Sequence, residues 1–225
     1  QTTDLLARTQ DRLSTGKKVN TALDNASAYF AAAAHTSRAN LLDGRKEAIG
    51  EAIQTVKAAN EGVQSVSKLL EAARGIVSQA RSAATANRSA LSTQYNAVMT
   101  QITNTITDSK YKGINLLENG SLAVAFNEDN STSLTVSGFT AAIGGSVVEV
   151  DSGDLTAFGA STATAASLSS SLDAVETNIN DSLANLRTQS AGLSSNLTIL
   201  QVRNDFLTNT VNNEIEGSNK LTLAD

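Results

Sequence analysis

The chain has 225 residues, 40% of them hydrophobic and 4% aromatic, with no Pro, Cys or Trp and a net charge of -5. A chain of this length would ordinarily hold about 11 prolines, and their absence favours long uninterrupted helices, because proline removes a helix hydrogen bond and clashes with the preceding turn. Zero cysteine excludes a disulfide scaffold, a thiol nucleophile and thiolate zinc sites, the lone His35 excludes histidine metal clusters, and the negative charge opposes capture of a phosphate backbone.

The N-terminal 22 residues read as a connector. From Ala22 to Ala34 seven of thirteen residues are alanine, so a helix is expected to begin near Leu23. It continues through a heptad seam: Leu42, Ile49, Val56, Val63, Leu70, Val77 and Ala84 recur every seventh residue, with Ala52, Ala59, Val66, Ala73 and Ala80 three residues after members of that series. A sustained heptad needs another helix as its partner. After a polar break at Thr85–Asn87, the residues Leu91, Tyr95, Val98, Ile102 and Ile106 predict a shorter amphipathic helix from near Arg88 that stops before Gly113.

From Glu118 the period changes to two. Leu122, Val124 and Phe126, then Leu134 and Val136, alternate with small or polar residues on either side of a polar turn, which predicts a β-hairpin. Gly144-Gly145 and Val147–Val150 continue as an irregular, strand-like stretch, and Ala160–Ser171 is small and Ser/Thr-rich. A second heptad arm follows, with Leu172, Ile179, Leu186, Leu193, Leu200 and Leu207 at the seam before Glu214 breaks it. The fold class is therefore mainly α: an elongated bundle of two long helices and one shorter helix with a small β-hairpin insert. Its parts are a connector (1–22), the N-terminal half of the helical bundle (23–117), a short variable β insert (118–161) and a C-terminal helix with the start of a terminal arm (162–225). The chain opens on Gln1 and ends at Asp225 within a patterned segment, which reads as a fragment or processed product. The lack of a signal peptide therefore says nothing about export. No apolar run approaches the roughly 20 residues of a membrane span.

Candidates for chemistry are few. No Gly-rich phosphate loop, nucleophile elbow or HExxH motif occurs, and no enzyme activity or cofactor is expected. His35 reads as a packed or surface residue, and Glu128–Asp129 and Asp151–Asp154 as solvated turns that lack the alternating oxygen ligands of calcium loops. The pair Lys17–Lys18 is too short for a nucleic-acid patch.

Three segments resemble bacterial flagellins. Arg12-Leu13-Ser14-Thr15-Gly16-Lys17-Lys18-Val19-Asn20, followed by Ala22-Leu23-Asp24-Asn25-Ala26, is similar to the family's N-terminal signature RLSSGxxINxAxDxAA. Ser109-Lys110-Tyr111-Lys112-Gly113-Ile114-Asn115-Leu116-Leu117 resembles its "FNGxxLL" turn, and Lys220-Leu221-Thr222-Leu223-Ala224-Asp225 is similar to the C-terminal arm of alphaproteobacterial-type flagellins. The resemblance implies a subunit of the bacterial flagellar filament, exported through the flagellar channel and located outside the cell. It further implies self-assembly for swimming motility, and an export chaperone and hook-associated proteins as partners beside copies of itself. Residues 1–22 would then be the spoke, and most of the terminal inner-tube helices would be lacking. A fragment of this kind is expected to stay monomeric where the full chain assembles.

Arg12, Leu13, Ser14, Gly16, Asn20 and Asp24 would be the assembly motif. The stretch matching the family's innate-receptor patch runs from Leu70 to Gln79. There Arg74 and Ile76 match loosely, Ala72 stands where the family has its leading arginine, and Gln94 where it has a glutamate. Weak or no receptor activation is expected, since losing an Arg–carboxylate contact at a desolvated centre removes several kcal/mol of binding. Two alternatives are a hook–filament junction protein, and a surface-displayed homologue that binds polysaccharide or a host ligand. The latter has only Phe126, Phe139 and Phe158 in the insert for sugar stacking. By analogy with the family, Ser and Thr side chains between Ser131 and Ser171 are candidates for O-glycosylation.

Overall fold

A computed structural model describes residues 2–151 and 165–224, with side chains for 6–151 and 167–224. Phe158 and the start of the Ser/Thr-rich stretch lie outside the described residues. Among those described, the elements in chain order are α1 (Thr2–Thr15), α2 (Ala26–Ser82), α3 (Thr85–Asp108), β1 (Ser121–Ala125), β2 (Ser133–Ser137) and α4 (Ala165–Thr222). The described residues are mostly helical, with two long helices and one small antiparallel hairpin among them. At 57 residues, α2 is about 86 Å long at the rise of an α-helix.

The start of α2 falls at Ala26 rather than Leu23. Asn25 caps it, its Oδ1 accepting a hydrogen bond from the Ala28 N–H at 3.1 Å, as an N-cap side chain does. The turn before the cap is closed by the Asp24 carboxylate, which leaves Leu23 96% exposed. The break between α2 and α3 also differs from expectation. Thr85–Asn87 is the first turn of α3, and the chain leaves helical geometry at Ala83–Ala84, where Ala84 is extended at φ -63°, ψ 149°.

The residues divide into two compact units. One comprises Ala52–Ala123 and Thr135–Ile199. Its core is the middle of both heptad seams together with α3: Val56, Val63, Leu70 and Val77, then Ile179 and Leu186, and Tyr95, Met99 and Ile102 are all buried. On α3 the buried residue is Met99 where Val98 was expected, because Tyr95, Met99, Ile102 and Ile106 keep the 4-3-4 spacing of one helix face. Close approach of α3's end to α2 is set at Gly62, where a Cβ would collide with the Ser109 side chain.

After α3, a turn with Lys112 (φ 47°) and Gly113 (φ 83°) leads into buried Leu116 and Leu117. Asn115 organises it. Its Nδ2 donates to the Ile106 carbonyl at 2.7 Å and to Glu118 Oε2 at 3.0 Å, and its Oδ1 accepts from the Leu117 N–H at 3.0 Å. The stretch around Gly144–Val150 is not a strand. It is a folded loop with one isolated bridge, Ile143 to Val148, and is tied to α4 by the Glu149 N–H donating to Ser182 Oγ at 2.8 Å.

The other unit comprises Gln1–Glu51, Val124–Leu134 and Leu200–Asp225. It contains the signature segment, the start of α2, the hairpin turn and the end of α4. Leu42 and Ile49 of the first seam and Leu200 and Leu207 of the second are buried in it, as is Val211 one turn further along α4.

Candidate functional site

The signature segment begins on the last turn of α1. Gly16 ends that helix in the left-handed region (φ +67°), its N–H donating to the Arg12 carbonyl at 2.9 Å, as a helix C-terminal glycine does. Nothing lies within 4 Å of where its Cβ would be, so the glycine answers a backbone need and not a steric one. The next residues strap across the end of α4. The N–H groups of Lys18 and Val19 both donate to the Thr222 carbonyl, at 2.8 and 3.2 Å, and the Ala224 N–H donates to the Gly16 carbonyl at 2.9 Å. Lys18 Nζ reaches the Lys220 carbonyl at 2.9 Å. The last carbonyls of a helix have no intrahelical partner, and this strap supplies donors to two of them.

Asp24 then closes the turn. Its Oδ2 accepts from the Thr21 N–H at 2.9 Å, the Asn20 N–H at 3.1 Å and the Thr21 hydroxyl at 3.2 Å. The Thr21 N–H first, then that of Asn20, hold its carboxyl below the usual carboxylate range. Of the signature residues, Gly16, Asn20 and Asp24 therefore take part in backbone geometry, whereas Arg12, Leu13 and Ser14 are exposed.

A charged cluster that sequence reasoning missed lies nearby in the same unit. His35 Nδ1 is 2.6 Å from Glu214 Oε2, Arg38 Nη1 is 3.0 Å from Glu214 Oε1, and Arg38 Nε is 3.1 Å from Glu128 Oε1. Glu214, 12% exposed, occupies the position where the second heptad breaks. Its partners are supplied by α2, and Arg38 extends the network to the hairpin turn. Arg203 covers Phe126 at 4.9 Å from the ring centre, so this ring is buried and offers no face for sugar stacking. The only sequence signal for the cluster was an acidic residue at a seam position, since its members are far apart in the chain.

The hairpin turn satisfies itself. Asn127 Oδ1 accepts from the Thr132 N–H at 3.1 Å, and Asp129 Oδ1 accepts from the Ser131 N–H at 3.0 Å, which lowers the Asp129 carboxyl from its ordinary range. Among the described residues no group of three or more His, Cys, Asp or Glu could hold a metal ion. In the other unit, Arg74 is paired with Glu71 one turn away on α2, Ile76 is half-buried, and Gln94 is exposed on α3. Among the described residues no helix is long and apolar enough to cross a membrane.

Residues 1–121 match the family model described as the bacterial flagellin N-terminal helical region. Over 210 residues the chain is 27% identical to Flagellin FljO of Caulobacter vibrioides, covering 92% of this chain and 75% of that protein.

Proposed function

Because this chain belongs to the bacterial flagellin family, and to its alphaproteobacterial type, we propose that it self-assembles through its helical faces and terminal segments into a propeller filament for swimming. Flagellins are structural proteins of the extracellular flagellar filament and not enzymes. Export through the flagellar channel, with a chaperone and hook-associated proteins as further partners, belongs to the same reading.

The distribution of exposed apolar side chains carries the proposal. Among the described residues eleven large apolar side chains are exposed, and all but Ile199 belong to the unit that holds the signature segment and the end of α4. Some of these adjoin one another, Val202 and Phe206 on one turn of α4 and the rings of Tyr29 and Phe30 at 5.6 Å near the start of α2, and adjoining apolar groups left in water mark a surface that a partner covers. Light scattering and electron microscopy of the full-length protein test this: filaments are expected, and a monomer that persists across salt and concentration would refute it.

Weak activation of the flagellin-sensing receptor goes with this reading, because Arg74 is held by Glu71 and Gln94 is uncharged. Ala72→Arg combined with Gln94→Glu should raise a reporter-cell response. A wild-type response equal to that of a strongly stimulatory flagellin would contradict it.

A further inference from the structure

Two patches on the unit that holds the signature carry opposite chemistry. On the first, Arg8 and Arg12 lie one turn apart on α1 and, with Asp11, Lys17, Lys18 and Asp24, line a cavity of about 140 Å³. Four cations thus face two carboxylates in a chain whose net charge is -5. Asp24 is engaged by the N–H groups of Asn20 and Thr21, and Lys18 by the Lys220 carbonyl. Among the described residues no carboxylate lies within ion-pair distance of Arg8, Arg12 or the Lys17 ammonium, and Arg8 acts on Asp24 only through space. Leu13 and Leu23, each next in sequence to a cavity residue, are 86% and 96% exposed.

The second patch is one turn of α4. Val202 and Phe206 are 62% and 58% exposed, and Asp205 is exposed between them with no ion-pair partner among the described residues. Positions i, i+3 and i+4 share a helix face, so this surface is apolar with a single negative charge. The neighbouring cation, Arg203, is directed at Phe126.

Resting on the self-association reading above, we propose that these patches meet between copies: the Val202, Asp205 and Phe206 face of one subunit docks on the Arg8, Arg12 and Lys17 surface of another, with Leu13 and Leu23 covering its apolar side chains. Neither patch complements itself, so the contact is heterologous. Unless it closes into a ring, a heterologous contact propagates without end, which is the geometry a filament needs. Opposed charges fix the partner and the register of such a contact more than they add affinity.

Residues 1–225 contain no cysteine, so a thiol introduced among them reports on its own position. Full-length Leu23→Cys and Phe206→Cys proteins, one carrying a size tag, are mixed, assembled and oxidised. A tagged–untagged adduct should form well above the yield of either protein with itself. Assembled particles without that adduct would overturn the pairing. Asp205→Arg should raise the concentration needed for assembly about fivefold, as should Arg8→Asp with Arg12→Asp, and the combination should recover it. Circular dichroism checks that each variant folds, and a folded combination with no recovery counts against the contact. Should the unsubstituted protein never assemble, the self-association reading falls and takes this pairing with it. Should it assemble with the swaps having no effect, only the pairing falls.

Discussion

At the scale of single residues, glycines separate most clearly by environment. Gly62 and Gly75 both sit inside α2, and nothing in the sequence distinguishes them. A Cβ at Gly62 would strike the side chain of Ser109 and approach Leu117, whereas nothing lies within 4 Å at Gly75. Gly75→Ala is therefore expected to stabilise by up to about 1 kcal/mol through helix propensity and lost unfolded-state entropy. Gly62→Ala should destabilise by about 1–3 kcal/mol, and Ser109→Gly should relieve it. Urea unfolding of the three variants checks both signs. At Gly16 the need is conformational, so Gly16→Ala should cost about 1–2 kcal/mol and Gly16→Asn less, because asparagine tolerates positive φ. Asp24 carries a pH dependence. Its folded-state carboxyl titrates below the ordinary value, so its contribution is present above about pH 3.9 and is lost as pH falls through the lower folded value. Side-chain NMR should place the Asp24 titration below that of a model aspartate, and an ordinary value would contradict the three hydrogen bonds drawn to it.

At the scale of elements, the heptad stripes were legible because burial follows spacing: every seam residue from Leu42 to Val77 and from Leu172 to Leu207 is buried. The hairpin was equally legible from its alternation around a polar turn. Helix starts were less so, because α2's beginning depends on which carboxamide or carboxylate captures which N–H, and Asn25 and Asp24 divide that role. The break of the second seam at Glu214 was visible, but its reason was not, since His35 and Arg38 come from the opposite end of the chain. A carboxylate with most of its surface covered loses solvation and is retained at little cost only while paired. Glu214→Leu, which continues the heptad, should therefore be neutral or mildly stabilising. Arg38→Leu, which leaves Glu214 with His35 alone, should destabilise by about 1–3 kcal/mol. Thermal unfolding of both decides, and a Glu214→Leu protein less stable than Arg38→Leu would show that the cluster contributes net stability.

At the scale of the whole molecule, the sequence pointed away from a reactive centre, and its signature segments to a family whose members are structural. What the signature does physically could not be read in advance. Part of it is internal joinery, the strap from Gly16 to Val19 across the end of α4, and part faces outward as Arg12 and Leu13. Composition gave no hint that, among the described residues, the outward apolar groups concentrate in one unit although both units bury their seam residues, because exposure depends on which faces find a partner within the fold. The central claim is that this protein acts through surfaces that copies of itself cover. Hydroxyl-radical footprinting of the full-length protein before and after assembly tests that most directly. Protection of Leu13, Leu23, Val202 and Phe206 in the assembled state, with the buried seams unchanged, is the predicted result; an assembled state in which those side chains react as freely as in the monomer would contradict it.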